Sequence, residues 1–357
     1  MRLLNARAAL AAATLTIAAG IASAQAPSSV SPADPRGASQ QQQRQMTQPL
    51  NNQPVWSEVR SGEPQYTSIP GRETNVLIQS QGQTWRAARV PVATIGGFIF
   101  LAAILGLAGF YAWRGAMTAH EKPNERWIER FSPMDRYAHW LLAICWVTLA
   151  VTGLILSFGK SVLLPLIGYT LFSWLAILAK NLHNFVGPIL IVAVPWVFVQ
   201  YVRDNGIGWD DVRWFLNLKG YFTDNEYPSR RFNAGEKLVF WVVLVILSTA
   251  LIATGLVLVF PNFDQTRATM QTANLIHMIA AYCAIGLACV HIYLGTIGMT
   301  GAYRAMRYGY VTESWAEHHH KWWYDAVVAG KSRQRFADPA EVDAAMREAP
   351  PSRTRTA

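Results

Sequence analysis

The stretch that decides the fold is Ala273-Asn-Leu-Ile-His277-Met-Ile-Ala-Ala-Tyr-Cys-Ala-Ile-Gly-Leu-Ala-Cys-Val-His291-Ile-Tyr-Leu-Gly-Thr-Ile-Gly298. It is apolar and long enough to cross a bilayer as one helix, yet it carries two histidines. They are fourteen residues apart, nearly four whole turns, so both imidazoles look out from about the same face. At about 1.5 Å per residue they are roughly 21 Å apart along the axis, one near each side of a ~30 Å hydrocarbon core. An ionisable side chain at that depth is costly and points to function. The remainder of the chain can be read as what brings each histidine a partner.

The composition fits such a helix. Of 357 residues 52% are hydrophobic and only 15% charged, which suggests an all-α, polytopic membrane protein with polar ends. The net charge of +9 lies in loops between apolar runs, so it points to a membrane surface and not to nucleic acid. Residues 1–24 look like a signal peptide, with Arg2 and Arg7, an apolar run and Ala22-Ser23-Ala24. An uncleaved anchor is the alternative. Cys145, Cys283 and Cys289 all lie in apolar runs with no Cys-x-x-Cys pair. They read as buried thiols, with no sign of a disulfide framework, an iron–sulfur site or covalent haem in this chain.

Residues 25–89 are rich in Pro, Gln, Ser, Asn and Gly and read as an exported, mostly irregular segment. An extra transmembrane helix follows within 90–115, then a bundle over 130–300 and a cytoplasmic tail over 301–357. The expected spans are 92–113, 134–158, 180–202, 236–260 and 274–298. The apolar stretch Val162–Ala179 contains Pro165 and Gly168 and is expected to be a re-entrant or interfacial loop. Lys and Arg crowd the loops after the first and third spans and the tail after the fifth. The positive-inside rule then puts the mature amino terminus in the periplasm and the carboxyl terminus in the cytoplasm.

That topology sorts the four intramembrane histidines by depth. His139 and His291 fall near the cytoplasmic side, His183 and His277 near the outer side. Two imidazoles facing each other between helices are the axial set of a b-type haem, so the reading is a helical bundle with two b haems. Gly153 and Gly187 are candidate positions for close approach of a macrocycle, with plain helix packing as the alternative. The absence of Asp, Glu or Cys at ligand spacing argues against two transport-type metal sites.

Other stretches carry local chemistry. Ser132-Pro133-Met134-Asp135 looks like a helix start, and Arg136, one turn before His139, is a candidate partner for a haem propionate or a snorkelling side chain. Arg231-Phe-Asn-Ala-Gly-Glu-Lys237 opens the fourth span. Asn233 with Glu236 is either a capping box or, with the amides near Gly235, the donor set of a quinone site, with Glu236 passing protons. Trp209–Leu216 reads as an amphipathic interfacial helix. His318-His319-His320 with Trp322, Trp323 and Tyr324 is expected to be a wet surface stretch, with metal binding a minor alternative.

These motifs, in this order and spacing, resemble the gamma (cytochrome b556) subunit of membrane-bound respiratory formate dehydrogenase: Asp-Arg-Tyr-Ala-His139-Trp, Leu-His183-Asn-Phe-Val-Gly, Phe-Asn-Ala-Gly-Glu-Lys-Leu-Val-Phe-Trp241, Leu-Ile-His277, Val-His291-Ile-Tyr and His-His-His-Lys-Trp-Trp-Tyr324. The resemblance spans about Arg130 to Ala329. It implies a di-haem four-helix core in the bacterial inner membrane and a menaquinone or ubiquinone pocket at Asn233, Gly235 and His291. The implied partners are an iron–sulfur beta subunit and a molybdenum or tungsten alpha subunit that oxidises formate. A cytochrome b of a hydrogenase or of another molybdoenzyme is the nearest alternative. From another class, a histidine-containing membrane anchor or metal transporter competes. The first 120 residues lie outside the resemblance.

Overall fold

The computed structural model describes residues 60–61, 81–117, 122, 125–221, 226–263 and 265–347. The signal-like segment and nearly all of 25–80 lie outside the described residues. Two compact units are distinguished: the described part of Met1–Phe98 with Val151–Leu182 and Ala253–Ile279, and Ile99–Ala150 with His183–Ile252 and Ala280–Ala357.

Among the described residues the elements are helical except for one short sheet. Helix α1 spans Gln81–Arg114, β1 Trp127–Glu129, α2 Pro133–Val162, α3 Leu164–Val186, α4 Leu190–Tyr201, α5 Trp209–Leu216 and α6 Leu218–Tyr221. Then come α7 Ala234–Leu238, α8 Ser248–Val259, α9 Arg267–Tyr293, α10 Ala302–Tyr308, β2 Tyr310–Thr312, α11 Glu313–His319, α12 Lys321–Val328 and α13 Pro339–Arg347. Among the described residues, five segments are long and apolar enough to cross a membrane: Thr84–Arg114, Pro133–Val162, Leu164–Asp204, Ala234–Val259 and Arg267–Gly298. Their exposed faces carry Ile, Leu, Val, Phe and Trp, as lipid-facing surfaces must.

Three details differ from the sequence reading. The first helix begins at Gln81, ahead of the expected span. Residues 164–179 are helical, not a loop. The break is confined to Gly168, at φ 75° and ψ 171°, and from Tyr169 to Val186 no Pro or Gly interrupts the winding. Pro165 falls at the second helical position, where its missing N–H costs nothing. The chain also contains a sheet: β1 and β2 pair antiparallel, with Ile128 opposite Val311.

The fully buried side chains Ile128, Val311, Trp315 and His320 gather on this sheet and the turns after it. This knot of loops holds the start of α2. Phe131 and Arg130 donate their amides to the Gly309 carbonyl at 3.1 and 2.8 Å. Gly309 has φ 101°, and a Cβ there would lie 2.7 Å from the Phe131 carbonyl oxygen, so glycine is required.

Candidate functional site: paired histidines beside a buried charge network

Helix α2 starts as its sequence indicates. Ser132 Oγ accepts from the Asp135 amide at 3.2 Å and Asp135 Oδ2 accepts from the Ser132 amide at 3.1 Å, a closed capping box. This fixes the register of Arg136 and His139 in the first two turns. Arg136 Nη1 donates to the Arg307 carbonyl at 2.7 Å, while its Nε is buried with no partner among the described residues.

His139 meets His291 of α9 within one unit. Their ring centres are 6.2 Å apart and the planes are inclined by 57°. A metal ion bound to one nitrogen of each ring at about 2 Å sets the ring centres about 6 Å apart. The pair therefore has the spacing of a bis-imidazole iron site. His139 Nδ1 is buried with no hydrogen-bond partner among the described residues, an unsatisfied position that an ordinary structural histidine avoids. Trp140 stands edge-on to His139 at 5.5 Å.

The other two histidines are steadied by hydrogen bonds. His183 hydrogen-bonds the Leu149 backbone within its unit. His277, in the other unit, meets Thr254 Oγ1 through Nδ1 at 2.9 Å. An imidazole fixed at Nδ1 presents Nε2, the arrangement that prepares a histidine for a metal. Gly255 lies against the same ring, where a Cβ would be 3.5 Å from His277 Cε1. Thr254 and Gly255 escaped the sequence reading. An apolar span with one Thr-Gly step offers no signal that separates it from routine helix packing.

The quinone candidates form a closed cap. Asn233 Oδ1 accepts from the Glu236 amide and Glu236 Oε2 accepts from the Asn233 amide, each at 2.9 Å. The capping alternative is thus realised. It leaves the Asn233 side-chain N–H2 without a partner among the described residues. Gly235 lies under Trp214, 3.4 Å from where a Cβ would stand. The chain after Leu238 winds with wider i→i+5 bonding over Val239–Leu247, a local expansion often found beside functional sites.

Behind this cap is a buried network that the sequence did not announce. Arg130 Nη2 donates to Glu236 Oε1 at 2.9 Å, to the Arg231 carbonyl at 2.8 Å and to His320 Nε2 at 3.0 Å. A guanidinium cannot accept, so His320 Nε2 carries no proton and its Nδ1–H is free to donate to the Arg230 carbonyl at 2.8 Å. Burial first, and then the adjacent Arg130 charge, push the His320 pKa down to about 3, so the ring is neutral. Desolvation lowers the Arg130 pKa as well, opposed by Glu236. Arg231 bridges Asp135 at 3.1 Å and Asp204 at 2.5 Å.

Two sequence expectations are corrected here. His319 and His320 are 3% and 1% exposed, so these two histidines of the run are core and not wet surface, while His318 is half-buried. Its charge partners come from residue 130 and from 226–236, which no local reading of the run reveals. Cys283 is exposed and Cys289 intermediate, and Cys145 is buried as expected. In a span, an outward-facing thiol is still an apolar group in an apolar solvent.

Residues 130–309 match the prokaryotic cytochrome b561 family. The cytochrome b556(fdo) subunit of formate dehydrogenase from Escherichia coli K12 is 31% identical over 209 residues, covering 56% of this chain and 93% of the relative. The cytochrome b556(Fdn) subunit of the nitrate-inducible formate dehydrogenase of the same strain is 26% identical over 222 residues, 59% of this chain and 96% of the relative. The formate dehydrogenase cytochrome b556 subunit of Haemophilus influenzae is 26% identical over 226 residues, 60% and 90% of the two chains. The five apolar helices, the facing histidines and the match over half of the sequence together place the chain in the prokaryotic cytochrome b561 family, as a multi-pass membrane cytochrome of the b type.

Proposed function

We propose that the chain is the di-haem cytochrome b subunit of a formate dehydrogenase. It would link a periplasmic iron–sulfur beta subunit to menaquinone or ubiquinone at the cytoplasmic side. The formate-oxidising molybdenum or tungsten alpha subunit completes the complex. The observation that carries the reading is the 6.2 Å separation of the His139 and His291 rings. The relatives named above, all formate dehydrogenase subunits, favour formate over hydrogen as the donor.

In this reading His139 and His291 hold the inner haem, His183 and His277 the outer, and Arg136 provides the cation for a propionate. Haem bound at these histidines supplies one-electron carriage across the membrane. The overall reaction takes two electrons from formate, releasing carbon dioxide and a proton, and adds two electrons and two protons to quinone. Asn233 donates its spare amide hydrogens to a quinone oxygen, and the amides near Gly235 favour the reduced, more negative oxygen. His291 lines the same pocket. Glu236 keeps 32% of its side chain accessible and delivers protons from the cytoplasmic side. Arg130 holds Glu236 in place and keeps its charge balanced. The mature amino terminus is periplasmic and the carboxyl terminus cytoplasmic.

The test is a spectrum of membranes before and after formate. Formate should reduce b haem, and added quinone should reoxidise it. The His291→Ala variant should lose quinone turnover yet retain formate oxidation with a soluble dye. Undiminished quinone turnover in that variant would refute the scheme.

A further inference from the structure

A second group of potential metal ligands lies in the knot of loops, on the unit that holds His139 and His291. Glu226, His318 and His319 each offer a donor atom, and these atoms all lie within 4.8 Å of one another. His319 Nδ1 and Glu226 Oε1 are 2.8 Å apart, on side chains only 2% and 4% exposed. One shared proton satisfies that edge. The remaining atoms, His319 Nε2 and Glu226 Oε2, are buried with no hydrogen-bond partner among the described residues. Two orphaned polar atoms on one buried pair require a further ligand, because burial without a partner is penalised on both.

The helix geometry also argues for a ligand. His318 and His319 are consecutive at the end of α11, and consecutive helical side chains normally point apart. Here their rings are 4.7 Å apart and nearly perpendicular, at 85°. Two imidazoles and one carboxylate, all able to be deprotonated, are a donor set for a divalent cation of the zinc type. Tetrahedral bonds of about 2.0–2.2 Å put neighbouring donors roughly 3.3 Å apart, so closure by an ångström or so suffices.

We propose that Glu226, His318 and His319 bind one zinc-type divalent cation, with a fourth position left to water. The ion ties the end of α11 to the segment that runs into Asn233. Ser229, three residues after Glu226, already accepts the amides of Trp322 and Trp323 at 3.0 and 3.3 Å through its carbonyl. The cation would be a clamp on the loop preceding α7 and has no part in electron transfer.

Metal analysis of the purified, haem-loaded complex tests this, with zinc supplied during growth. Wild type should hold about one zinc per chain more than His318→Ala, and the same deficit should appear in Glu226→Gln. His318 is the safer position, since it is not in the buried core, and the haem spectrum reports whether each variant has folded. Zinc lost from both variants with haem content unchanged supports the site. Equal zinc in wild type and His318→Ala, or no zinc in either, overturns it and leaves a buried histidine–carboxylate pair.

Discussion

The surroundings of His139 and His291 differ in kind from those of His277. The first pair sits on the unit that also carries Arg130, Arg231, Asp135, Glu236 and the neutral His320, all linked through buried or half-buried contacts. His277 meets the Thr254 hydroxyl and lies against the backbone of Gly255. One neighbourhood therefore has groups that can hold and move protons, and in the other the Thr254 hydroxyl orients a ring. If quinone is reduced at one end of the chain, it belongs with the charged neighbourhood. The neutral one suits plain electron entry.

The sharpest way to break this comparison is to remove one histidine from each neighbourhood. His291→Ala should lower quinone reduction by more than about 100-fold while dye-linked formate oxidation persists. His277→Ala should instead leave the haem of His139 and His291 in place, reducible by dithionite and no longer by formate. Optical difference spectra of both variants would show it. If the two variants give the same phenotype, the division of labour is wrong.

Stability should respond next. Arg130 is 4% exposed and satisfies Glu236, His320 and a carbonyl at once. Arg130→Met strands those acceptors and should cost about 3–5 kcal/mol, read as a lowered unfolding midpoint in detergent. A loss under about 1 kcal/mol would mean that water replaces the guanidinium freely.

Asn233 separates two roles in one side chain. Asn233→Asp keeps an N-cap acceptor, so stability should change by less than about 0.5 kcal/mol. It removes the amide donor, so the quinone KM should rise about tenfold, worth roughly 1.4 kcal/mol. An unchanged KM would reduce Asn233 to a cap. The smallest effect is expected at Thr254→Val. Freeing His277 Nδ1 should shift the midpoint of the outer haem by tens of millivolts at most and leave the other potential unmoved in a redox titration.

The parts legible in the sequence were those whose physics is local. A histidine inside an apolar run is expensive wherever it sits, so His139, His183, His277 and His291 could be singled out without a fold. The Ser132–Asp135 box and the Asn233–Glu236 box each lie within four residues and formed as their spacing indicates. The charge network was not legible because its members are far apart in sequence. Arg130 meets Arg231 across 101 residues and His320 across 190. In the sequence such arginines look like ordinary positive-inside loop charges. The helix over 164–186 was hidden for the opposite reason: two residues with strong local reputations, Pro165 and Gly168, sit at its edge, where they limit its start and not its length.

The central claim is that this chain holds two b haems, each between two histidines. Haem per chain measured on the purified complex, as pyridine haemochrome against protein, tests it most directly in wild type and His291→Ala together. Two haems are expected in the first and one in the second. One haem in wild type, or two in the variant, would contradict it.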